Sequence, residues 1–308
     1  MYLAGGSCRV IQAGVRSGSP PEIGVIALPQ TSLRGSLCLM FAVAALGVGS
    51  GFAVPAGAVE LAPHRALYKM KLASASRGSG VSGARGSMVY SFSDSCDAWA
   101  SETNVKLNLL YGEGDEVSTA WSFASWESKD GKSYRFRIRH SRDGAVVESL
   151  KGTVKRGKPG SAARAKFSEP ADKVIELPAG TLFPTRHLID LIEASQGGTP
   201  VFSRTVFDGA SLDNPYEINA IITRDKGAAS ARGKSAAGKI AAAGLAEMPT
   251  KHVRMAFFPT RSRKAEPEFE LGVDYRADGV ARMIHQDFGD FKIDLLPDKF
   301  EPIEKPDC

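Results

Sequence analysis

Cysteine and histidine have the widest chemical repertoire in this 308-residue chain, and their spacing argues against most of it. The five histidines (His64, His140, His187, His252, His285) are scattered, with no close pair and no H-E-x-x-H, so spacing supports no zinc site. Gly233-Lys234-Ser235 resembles the end of a phosphate loop, but the glycine that motif needs is replaced by Ala228 and no strand precedes it. Gly80-Val81-Ser82-Gly83 falls short of a nucleophile elbow, because Ala84 stands where the final glycine belongs. Serines and aspartates are too common for one of each near a histidine to indicate a triad. His187, on the first turn of an expected helix, reads as a partly exposed polar residue. With no C-x-x-C either, a redox enzyme is not expected, and no metal or cofactor is called for.

Two further sets of residues could bind. Arg135, Arg137 and Arg139 line the outer face of one strand, where they could grip phosphates of lipid headgroups or nucleic acid. Their aromatic neighbours point the other way, so a solvated face that blocks aggregation is the preferred reading. The net charge of +5 is spread without one long basic block, so no nucleic-acid partner is required. Trp121, Phe123, Tyr134 and Phe136 face inward, and singly each reads as core. If the sheet curls without closing, they and the helical Leu188, Leu191 and Ile192 form a candidate apolar groove for an acyl chain or peptide.

The apolar stretch Leu37–Val54 follows Arg34 and precedes the small-residue site Ala56-Gly57-Ala58, the pattern of a bacterial secretory signal. Its apolar core is shorter than the roughly 20 residues of a membrane helix, so no anchor is expected to remain. Cys38 precedes the apolar core instead of following it, which argues against a lipoprotein. Residues 1–30 lack strand or helix periodicity, which suits a start codon further downstream. Removing residues 1–58 lowers the charge to +3 and leaves Cys96 and Cys308 as the one cysteine pair in a periplasmic chain, where a disulfide is the expected state.

Period-two alternation then runs through almost the whole of residues 59–308. Tyr68, Met70 and Leu72 alternate with Lys69 and Lys71, and similar runs recur through Phe92, Leu109, Phe123 and Ile138. Asp130-Gly131, Asp143-Gly144 and Asp278-Gly279 supply hairpin turns between such runs. Roughly a dozen strands suit a large curved or barrel-like antiparallel sheet. From Thr185 to Ser195 the period changes: Leu188, Leu191 and Ile192 recur at helical spacing, introduced by Pro184 and stopped by Gly197-Gly198. This amphipathic helix is expected to cover the open sheet face. Lys151 to Lys166 and Lys226 to Ala246, rich in small and basic residues, read as mobile surface loops in one domain.

The run Leu177-Pro178-Ala179-Gly180-Thr181-Leu182-Phe183-Pro184-Thr185, the later Val206-Phe207-Asp208-Gly209, the Asp287-Phe288-Gly289-Asp290-Phe291 stretch and the terminal cysteine resemble the EipB family of periplasmic cell envelope integrity proteins. The resemblance implies an all-β fold, a β-spiral or open barrel-like cup with a helix at its opening, bridged between Cys96 and Cys308. It also implies a non-catalytic envelope role, with a shape similar to lipoprotein carriers and no catalytic residues to carry over. Three functions follow in order: binding of an envelope protein partner, such as a periplasmic repeat protein, or of an envelope component; carriage of a lipid or acylated lipoprotein; and envelope hydrolysis.

Overall fold

A strand with one buried face must alternate its side chains between core and water, and that constraint organises nearly the whole molecule. The computed structural model describes residues 59–112, 114–224, 248–262 and 264–308. The first meander comprises β1 (His64–Ala75), β2 (Val81–Asp94), β3 (Ala98–Tyr111), β4 (Glu116–Ser128), β5 (Ser133–Arg142), β6 (Ala145–Lys155), β7 (Ala163–Glu169) and β8 (Val174–Leu177). The helix α1 (Pro184–Gln196) follows. The second meander comprises β9 (Val201–Val206), β10 (Tyr216–Arg224), β11 (Thr250–Pro259), β12 (Phe269–Arg276), β13 (Ala281–Asp287) and β14 (Phe291–Pro302).

All fourteen strands join one antiparallel sheet in the order β8-β7-β6-β5-β4-β3-β2-β1-β14-β13-β12-β11-β10-β9. The two meanders meet at β1 and β14, paired from His64 opposite Pro302 to Ala75 opposite Phe291. Pro297, which cannot donate to a ladder, stands at the register shift between Leu67 and Tyr68, where a bulge tolerates it. The Tyr68 hydroxyl reinforces this seam by donating to the Ala281 carbonyl at 2.8 Å.

The sheet is curved and open, and its edge strands β8 and β9 do not pair with each other. Between them lies the connection into the helix. There the Leu182 N–H donates to the Thr205 carbonyl at 2.8 Å, and the Phe207 N–H to the Leu182 carbonyl at 2.9 Å. Two apolar cores fill the concave side. The larger joins β1–β3 and β9–β14 to Leu188, Ile189, Leu191 and Ile192 of α1. The smaller joins Phe123 and the inward residues of β5–β8 to Phe183 and Phe207. Trp121 packs against both.

Two expectations are corrected. Lys151–Lys166 is not a surface loop: its two ends lie in β6 and β7. A Cβ on Gly152 would stand 2.6 Å from the Phe136 ring and 2.7 Å from the Lys166 carbonyl oxygen, so close packing, not looseness, calls for glycine there. His187 is fully buried against Phe202, with ring centroids 5.5 Å apart, because it lies beside Leu188 and Leu191 on the covered part of α1. The tract 226–246 and the expected signal 1–58 lie outside the described residues. No helix among the described residues is long and apolar enough to cross a membrane.

The chain after β14 returns across β1, with the Ile303 N–H donating to the Pro63 carbonyl at 3.0 Å and Lys305 paired to Glu60. It ends in a disulfide from Cys308 to Cys96 in the β2–β3 turn, a sequence separation of 212. Closing so long a loop in the unfolded chain is worth up to about 5 kcal/mol. Cys96→Ser/Cys308→Ser should therefore lower the urea-unfolding free energy by about 2–5 kcal/mol. An unchanged midpoint would show that the bridge contributes nothing.

Candidate functional site

The segment 177–185 is shaped by its own residues. Leu177 ends β8 in the smaller core, and Gly180, at φ +83, reverses the chain. The Gly180 N–H donates to the Gly160 carbonyl at 2.8 Å, and the Thr181 hydroxyl to the Pro178 carbonyl at 2.8 Å. Phe183 then stacks on Tyr134 at 4.8 Å and 11°. The Arg156 guanidinium lies 4.3 Å above the Phe183 ring, and its Nη1 donates to the Thr181 carbonyl at 3.0 Å. Pro184 opens α1 where a missing N–H costs nothing.

The start of α1 carries no side-chain cap of its own. Its orphan donors are met from another strand: Glu127 of β4 accepts from the Thr185 N–H at 2.7 Å and the Arg186 N–H at 2.9 Å. Glu127 is buried, and burial pushes its carboxyl up to about 7 from an ordinary 4.5. The two N–H groups and the Arg156 charge oppose that shift. The neighbouring His187 ring is held neutral, since burial lowers its pKa to about 3.

Beside this capped turn is a small cleft. Tyr90 and Phe92 of β2, Ser101 and Thr103 of β3, Phe123 of β4, and Pro184, Thr185 and Leu188 of α1 line it. Its free volume of about 20 Å³ holds about one water. The Ser101 and Ser125 hydroxyls share a 2.8 Å hydrogen bond at the β3–β4 wall. Rings and hydroxyls of this kind suit an apolar group with a polar end. No group of three His, Cys, Asp or Glu among the described residues is placed to hold a metal ion.

Of the expected groove residues, Phe123 and Leu188 line the cleft. Trp121, half-buried, stacks on Phe123 with centroids 5.7 Å apart. Tyr134 and Phe136 lie deep in the smaller core, and Leu191 and Ile192 in the larger. The sequence reading missed Glu127 and Arg156. A signal existed for the first: Glu127 continues the inward phase of Trp121 and Phe123, while Phe183-Pro184-Thr185 offers the helix no cap.

The stretch after β9 locks into the same region. The Tyr134 hydroxyl donates to the Asp208 carbonyl at 2.9 Å, and the Asp208 N–H donates to the Asn214 side-chain oxygen at 3.1 Å. Gly209, at φ +73, lies so close to Phe136 that a Cβ would stand 2.6 Å from the ring. The two motif stretches thus converge on Tyr134 and Phe136.

The EipB-like family model matches residues 55–304. The chain belongs to the EipB-like family. It is 27% identical over 246 residues to the cell envelope integrity protein EipB of Brucella abortus (strain 2308), covering 79% of this chain and 85% of that protein. It is also similar to the crystal structure of a β-barrel-like protein of domain of unknown function DUF1849 from Brucella abortus. That likeness has a TM-score of 0.71 at 25% identity and covers 80% of this chain and 100% of the other. In this EipB-like chain, the family-resembling run 177–185 is thus the segment that spans the sheet opening and starts the helix.

The buried carboxylate gives a pH test. Between about pH 4.5 and 7 the unfolded Glu127 carboxyl is ionised while the buried one keeps its proton. Folding then takes up a proton, so this group's contribution to stability falls as pH rises through that window and levels off above it. Glu127→Gln cannot titrate, so its unfolding free energy should decline less than the wild type's between about pH 5 and 8; parallel curves would contradict the assignment. Glu127→Ala, which leaves two helix N–H groups without an acceptor, should cost about 2 kcal/mol.

Proposed function

We propose that this EipB-like chain acts in the periplasm as a non-enzymatic binding protein, maintaining the cell envelope by holding a partner protein or envelope component at the cleft beside α1. The envelope role is supported by the name of the Brucella relative, a cell envelope integrity protein. The observation that carries the binding reading is the construction of the cleft. Its walls come from three neighbouring strands, and its rim is a helix turn fixed by a buried carboxylate from one of them. Such a site is held rigid before anything enters it, which reduces the ordering cost of binding.

A carrier of lipid or acylated lipoprotein is the second reading. It is favoured by the four apolar side chains of α1 that seal the larger core, because lifting the helix would uncover a continuous apolar surface. The cleft as it stands has no room for an acyl chain, so carriage requires that movement.

Photo-crosslinking in intact cells tests the binding reading. A crosslinking amino acid at Ser101, on the cleft wall, should capture a discrete partner that the same group at Val201, on the edge strand β9, does not. Identical adducts from both positions would refute a site at the cleft. Native mass spectrometry of the protein isolated from cells should show no acyl-chain adduct; a stoichiometric one would favour the carrier.

A further inference from the structure

The arginine row on β5 has a setting that its sequence alone does not reveal. Arg137 stands directly opposite Lys151 of β6, and Lys155 of β6 opposite Arg164 of β7. Like charges facing each other across strands are destabilising. Arg135, Arg137, Arg139, Lys151, Lys155 and Lys166 are all exposed on this outer face, and none forms an ion pair with a described residue. Two carboxylates lie on this face: Glu176 pairs with Arg164, and Glu169, which stands opposite Lys151, accepts from Ser149. Protection of a sheet edge does not explain the row, because β5 is three strands in from the edge strand β8.

Beside the charges lies an apolar pair. The register shifts between His140 and Ser141, so Val146 pairs with Ser141 and Val147 is the extra residue of a bulge. Both valines therefore oppose Ser141, on the face that carries the arginines. Their exposures of 46% and 55% are among the largest of any apolar side chain in the described residues. Exposed cations set beside an exposed apolar pair match a lipid surface, where phosphates meet the first and the acyl boundary the second. A soluble acidic partner would leave the valines without a function.

We propose that the outer face of β5–β7 docks on an anionic phospholipid bilayer, with the cations on headgroup phosphates and Val146 and Val147 at the acyl boundary. This surface is separate from the cleft, so the two readings fail independently.

Vesicle co-sedimentation tests it with the protein isolated from the cells that make it. Vesicles of phosphatidylglycerol and phosphatidylethanolamine are compared with vesicles of phosphatidylcholine, which cancels any contribution of the apolar stretch 37–54. Binding should favour the anionic vesicles and weaken steeply with salt. Arg137→Gln/Arg139→Gln/Lys151→Gln should weaken it on the order of 100-fold, about fivefold for each cation near the surface. Val146→Ser/Val147→Ser should weaken it by about tenfold while leaving the salt dependence unchanged. Circular dichroism should show both variants folded, since every substituted side chain is exposed. Equal binding to both vesicle types, full binding by the glutamine variant, or retention on a soluble polyanion without vesicle binding would each overturn the proposal.

Discussion

The antiparallel pairing of β1 with β14 is the constraint on which the rest of the sheet depends. Each meander can form from local hairpins, but neither can cover its own apolar face. The larger core takes side chains from β1–β3 on one side of the seam and β9–β14 on the other, so it exists only when residues from opposite ends of the chain have met. The returning tail and the Cys96–Cys308 bridge lie at one end of this seam. Contacts so distant in sequence are slow to form, because loop closure must precede the burial that rewards it.

An open sheet creates a second problem: irregular segments must bridge the gap between β8 and β9, and their backbone groups need partners. Two strands and the residue that follows β6 supply them. Glu127 accepts from the first turn of α1, Arg156 donates to Thr181, and Tyr134 donates to Asp208. All three side chains are buried polar groups on the apolar face, and each serves backbone outside the sheet. This arrangement turns a structural necessity into a rigid rim beside a small cleft.

Local features were legible in the sequence wherever one period or one turn decides the outcome. The Asp-Gly turns fall between β4 and β5, β5 and β6, and β12 and β13, and the helix runs from Pro184 where its apolar spacing begins. Features that depend on distant neighbours were not legible. Gly152 reads as looseness until Phe136 is seen above it, and His187 reads as surface until the fold covers it with Phe202. Glu127 was missed because its partners lie at residues 185 and 186, a relation no spacing rule connects. The joining of the two meanders was equally hidden, since nothing local states that the first strand and the last are neighbours.

The seam is tested most directly by native-state hydrogen exchange, resolved strand by strand. If pairing of β1 with β14 holds both meanders in one sheet, their amides should be among the slowest to exchange, opening only with global unfolding, and the amides of α1 should be protected to a similar degree. Exchange of β9–β14 as a separate, faster unit, with β1–β8 still protected, would show that the two halves stand without the seam and would contradict it.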